Sequence, residues 1–148
     1  MIPFVVLVAL TFALRAVGTA GIIVLQSWVV CLRGALFAMF LLTASAHWGK
    51  RRADLIGMVP SAFPRPDLIV TTTGLLEILG AIGLLMPMTA RAASACLALL
   101  LIAMFPANVR AARRNLTIGG RPPTALPLRT LLQVVFIAAL SMAGFANF

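Results

Sequence analysis

Five long apolar runs, separated by short polar stretches, constrain this chain more than any other feature of its sequence. A helix needs about 20 apolar residues, rising 1.5 Å per residue, to cross the hydrocarbon core of a bilayer. The runs of sufficient length are residues 3–25, 28–48, 68–87, 91–108 and 126–145. Hydrophobic residues make up 62% of the 148 residues, against roughly 45–50% in soluble domains. The sequence therefore predicts an all-α membrane protein with five spans.

The first run resembles a secretory signal peptide in being apolar and N-terminal. Residues 1–14 nevertheless contain no Lys or Arg, and the start of a signal peptide normally carries positive charge. The apolar stretch also resumes after Arg15 and is long enough to span. We therefore interpret residues 1–27 as a retained helix that precedes the rest of a single integral membrane domain, residues 1–148.

Basic residues outnumber acidic ones by 12 to 3 and cluster in two of the loops between spans. They are Lys50, Arg51, Arg52 and Arg65 in the first basic loop, and Arg110, Arg113, Arg114 and Arg121 in the second. With five spans, both loops fall on one face, which the positive-inside rule makes the cytoplasmic face together with the N-terminus, leaving the C-terminus outside. No aromatic platform accompanies the charge, so the expected partner is the lipid bilayer and not nucleic acid.

Prolines predict the local structure at two places. In the first basic loop, residues 53–59 mix apolar and polar positions, and Pro60, Pro64 and Pro66 follow. This order indicates a short interfacial helix and then an extended segment, because proline cannot continue a helix. In the fourth span we expect Pro106 to break or kink the helix near its end.

One acidic residue, Glu77, lies in the middle of an apolar run, where an ionisable group is costly and usually has a partner or a task. Its neighbours one helical turn away are Thr73, Gly74, Gly80 and Ala81. Small residues on one stripe let another helix approach closely, so Glu77 should face the bundle interior. Two roles stay open: a carboxyl kept neutral by burial, or a buried ion pair with Arg15, whose counted depth agrees within about 3 Å.

A second polar group gathers at the predicted cytoplasmic ends of the helices. It consists of His47 with Thr43 one turn before it, Asn108 after Pro106, and Gln133 on the fifth span. Together with Glu77, these side chains could form the polar part of an apolar pocket for a small ligand. The alternative is that His47 and Asn108 only cap helix ends at the interface.

Cysteine and histidine are too few to build a metal centre. The chain has one histidine, and its two cysteines, Cys31 and Cys96, are far apart in sequence. We interpret both cysteines as small buried apolar residues. The sequence shows no ligand set for zinc, haem or an iron–sulfur cluster and no flavin-binding motif, so electrons for any redox role would come from a partner.

Several short motifs, in order and spacing, are similar to those of a known family. They are AHWG at 46–49, MVP at 58–60, GLLEILGA at 74–81, LLMP at 84–87 and FPANV at 105–109. Over roughly residues 28–142 the chain resembles the DoxX-like family of small multi-pass bacterial membrane proteins. Two features depart from that family: Trp48 stands where we expect Phe, and an extra N-terminal helix brings Arg15.

The resemblance implies a four-helix transmembrane core, residues 28–148, in the bacterial cytoplasmic membrane. Its recurring polar residues match His47, Glu77 and Asn108, and some of its members are linked to quinone-dependent redox systems. No residue can be carried over as catalytic, because the family has no agreed catalytic set, and the sequence does not decide whether the chain is an enzyme.

Three functions stay open from the sequence. The first is binding of a quinone-like lipophilic molecule as the membrane partner of a redox system. The second is a non-catalytic structural or assembly role in an oligomer or a larger membrane complex. The third is transport of a lipid or small molecule, although no inverted repeat of a secondary carrier is evident.

Overall fold

The computed structural model describes residues 1–114, 116–117, 119–120 and 124–146, and the regular elements in these residues are all helical. The α-helices are α1 (Ile2–Thr19), α2 (Trp28–Ser45), α3 (Arg52–Met58), α4 (Pro66–Leu85), α5 (Ala90–Arg113) and α6 (Leu126–Phe145). All except α3 are long and apolar enough to cross a membrane. The prediction of an all-α protein with five spans is therefore confirmed.

Four helices close a ring around the core. In this ring α2 packs on α4, α4 on α5, α5 on α6, and α6 on α2. The central residues of α2, Leu36, Met39 and Phe40, are at most 1% exposed and pack against Leu84 and Leu140. Helix α1 lies outside the ring against α2. The expected four-helix core with one additional N-terminal helix is the observed architecture.

The first span is shorter than predicted. Helix α1 ends at Thr19, and a 3-10 helix, Ile23–Gln26, follows in place of a continuous helix to residue 25. Gly21 has φ of 123°, in the left-handed region that only glycine adopts easily, so the chain can turn there. The turn lays the backbone of Leu25 directly on Gly18, where a Cβ atom would collide with the Leu25 carbonyl.

The prolines have different effects in the two places. Helix α3 confirms the short helix expected in the first basic loop, but the segment after it is not extended throughout. Val59 is extended, with ψ of 132°, and a turn then follows in which the Phe63 N–H donates to the Pro60 carbonyl at 3.1 Å. In the fourth span, however, α5 does not break near Pro106 but continues to Arg113. Proline removes a single backbone donor, and packing on both α4 and α6 holds the remaining turns of α5 together.

The bundle has two chemically different ends. We call the end where α2 begins the Trp28 end, and the end where α2 finishes the His47 end. The His47 end also carries α3, the start of α4 at Pro66 and the last turn of α5 with Arg110 and Arg113. Most basic residues of the chain therefore lie at the His47 end.

Gly144 on α6 tests how closely this core is packed. A Cβ atom at Gly144 would lie 2.6 Å from Ser94 Cβ and 2.7 Å from Ser94 Oγ. We expect Gly144→Ala to destabilise the bundle by about 1–3 kcal/mol, the usual cost of overpacking, and to lower the thermal unfolding midpoint in detergent. Gly57→Ala is the control, because nothing lies within 4 Å of its Cβ position. Equal midpoints for Gly144→Ala and the wild type would contradict the packing described here.

Candidate functional site

Glu77 is the centre of a buried polar cluster between α2 and α4. It is 3% exposed, which confirms that its side of α4 faces the bundle interior. Thr43 Oγ1 donates a hydrogen bond of 2.7 Å to Glu77 Oε2. His47 Nε2 lies 3.6 Å from Glu77 Oε1. The Glu77 carboxyl group therefore contacts one side chain on α2, Thr43, and one in the turn that follows α2, His47.

The His47 imidazole is fixed by a contact on its other nitrogen. Nδ1 lies 2.6 Å from the carbonyl oxygen of Val70 on α4. A carbonyl can only accept, so Nδ1 carries a proton, and Nε2 is left facing Glu77. Arg52 also ties this turn to α4, because its Nη1 donates to the His47 carbonyl (2.7 Å) and its Nη2 to Thr71 Oγ1 (2.9 Å).

Gly74 makes this arrangement possible. A Cβ atom at Gly74 would lie 2.7 Å from both Cβ and Cγ of His47, and 2.9 Å from the Trp48 ring. The imidazole thus packs directly on the α4 backbone, and any side chain at position 74 would push it away from Glu77. From the sequence, the small residues beside Glu77 predicted that another helix would approach closely. In the structure, His47 packs on one of these residues, Gly74.

The proton affinity of His47 follows from these neighbours. His47 lies beyond the end of α2, at Ser45. Burial lowers the pKa of His47, but the hydrogen bond that the imidazole donates to the Glu77 carboxylate, its bond to the Val70 carbonyl and the Glu77 charge together outweigh burial and the opposing charge of Arg52. The His47 pKa therefore lies above its usual 6.5. The raised pKa favours the protonated imidazole, so the pair holds a proton that it can give to a third group.

A cavity of about 540 Å³, here called the His47 cavity, opens beside this cluster. The buried His47 and Glu77 and the partly buried Thr43 provide its polar wall. The apolar part of the lining includes Met39, Phe40, Leu101, Met104 and Phe136. Lys50 and Arg51, both exposed, also line it. The cavity thus combines an apolar interior, one compact polar patch and a basic rim.

A second cavity of about 350 Å³, here called the Pro60 cavity, lies on the other side of His47. It is bounded by Pro60 and Phe63 from the loop after α3, and by Asn108 on α5. His47, Leu55 and Met104 line both cavities. The His47 side chain is therefore part of the wall between two separate spaces at this end of the bundle.

The structure does not bring all the predicted site residues together. Asn108 accepts a hydrogen bond of 2.9 Å from Arg129 Nη1, and Gln133 Nε2 donates to the Leu101 carbonyl at 3.2 Å. Both residues line a third cavity, of about 250 Å³. Thr43, His47 and Glu77 thus form one cluster. Asn108 lines the Pro60 cavity and the third cavity, and Gln133 lines the third cavity.

The predicted ion pair between Arg15 and Glu77 is wrong. The Arg15 guanidinium lies 5.2 Å from the Trp28 ring centroid, whereas Glu77 contacts Thr43. Trp28 and Thr43 are fifteen residues apart on α2, or about 22 Å along its axis. Counting depth from the start of each span failed, because α1 and α4 pack on α2 at different levels. The charge that Glu77 actually meets is on His47, which the sequence placed at a helix end.

Five membrane-length helices and a buried Thr43–Glu77–His47 cluster beside an apolar cavity define the class: a small helical membrane bundle with an internal polar site. A domain of unknown function, DUF8561, matches residues 36–143, and the chain belongs to this family. The match includes Thr43, His47 and Glu77 and leaves out α1. No curated protein and no solved structure matches the chain. The resemblance to the DoxX-like family stays a prediction.

The single histidine makes the His47–Glu77 contact measurable. In protein labelled with ¹⁵N-histidine, we expect the one imidazole signal to titrate with a pKa above 6.5, because the Glu77 carboxyl group raises the pKa. Glu77→Gln should bring the pKa of His47 below that of the wild type, since burial still opposes the charged form.

Asp67→Asn is the matched control for this titration, because Asp67 is an exposed acid on the same helix. The pKa of His47 should not change in this variant. A titration curve that is the same in the wild type and in Glu77→Gln would show that the carboxyl group and the imidazole do not interact.

Proposed function

We propose that the chain binds a lipophilic small molecule of the quinone class in the His47 cavity and acts as the membrane partner of a redox system. The observation that carries this proposal is the buried Thr43–Glu77–His47 cluster on the wall of an otherwise apolar space of about 540 Å³. Small-molecule sites typically have this volume, apolar walls and a few convergent polar groups.

The protonation chemistry of the cluster suits a quinone head group. A quinone carbonyl accepts hydrogen bonds, and the His47–Glu77 pair can donate one whenever it holds its transferable proton. Reduction of the bound quinone to a quinol takes up two electrons and two protons. The pair would deliver one proton to the carbonyl oxygen that it contacts, water would supply the second proton to the other carbonyl oxygen, and a partner protein would supply both electrons.

The proposed orientation follows from the distribution of charge. The loops at the His47 end hold Lys50, Arg51, Arg52 and Arg65, whereas Arg33 and Arg91 lie toward the Trp28 end. By the positive-inside rule the His47 end faces the cytoplasm. The ligand would then enter from the inner leaflet of a bacterial cytoplasmic membrane, as the resemblance to the DoxX-like family also implies.

One observation favours a structural role as a second candidate. The polar groups of the cluster bond to each other across α2 and α4, and Arg52 at the start of α3 donates to the turn after α2 and to α4. Such a set can hold two helices in register without binding a ligand. Under this alternative, the chain would be a non-catalytic subunit of a larger membrane complex.

Trp48 provides a direct readout of quinone binding, because its ring centroid lies 6.1 Å from that of His47 and quinones quench tryptophan fluorescence. In the Trp28→Phe background Trp48 is the only tryptophan, and we expect decylubiquinone to quench it saturably. Glu77→Gln should weaken this binding about tenfold or more, the usual effect of losing a charge-assisted hydrogen bond. Thr43→Val, which removes one hydrogen bond to Glu77, should weaken binding less.

The matched control is Thr130→Val, because the Thr130 hydroxyl is exposed and donates to the Leu126 carbonyl of its own helix, away from the cluster. Its quinone affinity should equal that of the parent protein. Quenching that does not saturate, or equal affinities in the Thr43, Glu77 and Thr130 variants, would reject the proposal. Stoichiometric partner subunits that copurify without any quinone would support the structural alternative.

A further inference from the structure

A groove at the Trp28 end lies far from the polar cluster. Helices α1 and α6 both pack on α2 and leave between them a space of about 560 Å³. Its lining comprises Thr11, Trp28, Val29, Leu32, Val135, Ala138, Ala139 and Met142. The one hydroxyl group in this lining, on Thr11, donates to the Leu7 carbonyl at 2.7 Å. The groove therefore offers an almost entirely hydrocarbon surface.

The Arg15 guanidinium lies at one end of this groove. Its Cζ is 5.2 Å from the centroid of the Trp28 ring, which lines the groove. Thr11, another lining residue, is one helical turn before Arg15 on the same face of α1. Phe12 also packs on the Trp28 ring, in an edge-to-face arrangement with 6.0 Å between the ring centroids. The Arg15 guanidinium is thus held in place by packing against the Trp28 ring.

Arg15 has donors without acceptors. Its Nε and Nη1 atoms are buried and have no hydrogen-bond partner in the part of the chain that the structure describes. The acidic residues of the chain cannot supply a counter-charge, because Asp54 and Asp67 lie at the His47 end and Glu77 contacts Thr43, about 22 Å along α2. A partly buried cation whose donors find no acceptor among the described residues calls for an anionic acceptor.

We infer that Arg15 and this groove bind one anionic phospholipid. The lipid phosphate pairs with the partly exposed Arg15 guanidinium, and one acyl chain lies in the groove over Val29 and Leu32. Arg15 is one turn from the end of α1, at the level where a membrane helix reaches the headgroups. This lipid site belongs to α1, α2 and α6 and is independent of the proposed quinone site.

Other arginines toward the Trp28 end lack this combination. Arg33 already donates from Nε to the Ala143 carbonyl, at 2.8 Å. Arg91 is exposed in the first turn of α5, and the groove has no lining residue from that helix. Arg91 therefore serves as a matched control for general attraction between a basic residue and anionic lipid.

The experiment uses Trp28 as the reporter in a Trp48→Phe background. The protein is reconstituted in phosphatidylcholine vesicles that contain a small fraction of either phosphatidylglycerol or phosphatidylcholine with brominated acyl chains, which quench tryptophan on contact. We expect brominated phosphatidylglycerol to quench Trp28 about fivefold more effectively, the preference that one basic residue gives near an anionic lipid.

Three variants separate the charge from the groove. Arg15→Gln should abolish the preference for phosphatidylglycerol, while Arg91→Gln should keep it. Ala138→Phe, a change at an exposed lining residue, should fill the groove and reduce quenching by both lipids. Equal quenching by the two brominated lipids with Arg15 intact overturns the inference, whether or not the Arg15 variant folds. A preference that survives in Arg15→Gln overturns it as well.

Discussion

A carboxyl group inside a membrane bundle must find hydrogen-bond donors within a few ångströms, and here that requirement organises the His47 end. Glu77 obtains its donor from Thr43 and its charge partner from His47, both supplied by α2 or the turn after it. The requirement fixes the register of α4 against α2, because a shift of one residue would turn Glu77 away from both. It also explains why position 74 has no side chain, since the imidazole occupies that space.

The same cluster separates the two cavities beside it. His47 contributes to the wall of both, and its ring is held on one side by the Val70 carbonyl and faces Glu77 on the other. A proton on this pair is therefore close to whatever occupies the His47 cavity and shielded from bulk water. This placement suits a ligand that gains or loses protons, which is why we propose a quinone for the site and not a purely apolar molecule.

From the sequence, the architecture could be predicted more accurately than the contacts between side chains. Apolar run lengths are local properties, so the five spans could be counted, and the small residues around Glu77 correctly indicated a buried face. Which helix would face Glu77 is a tertiary question, and counting residues from each span start led to Arg15 in place of His47. The error has a physical source: α1 lies outside the ring, and its polar residue meets Trp28 at the far end of α2.

The composition of the chain allows the central contact to be measured without mutation, because His47 is its only histidine and Glu77 its only glutamate. Protein labelled with ¹⁵N-histidine and ¹³C-glutamate in lipid bilayers gives a single intramolecular Nε2-to-carboxyl distance by solid-state NMR. The Nε2–Oε1 separation of 3.6 Å predicts a carboxyl carbon within about 5 Å of Nε2, one bond length beyond the oxygen. A carboxyl carbon too distant for measurable ¹⁵N–¹³C dephasing would contradict the account of the site.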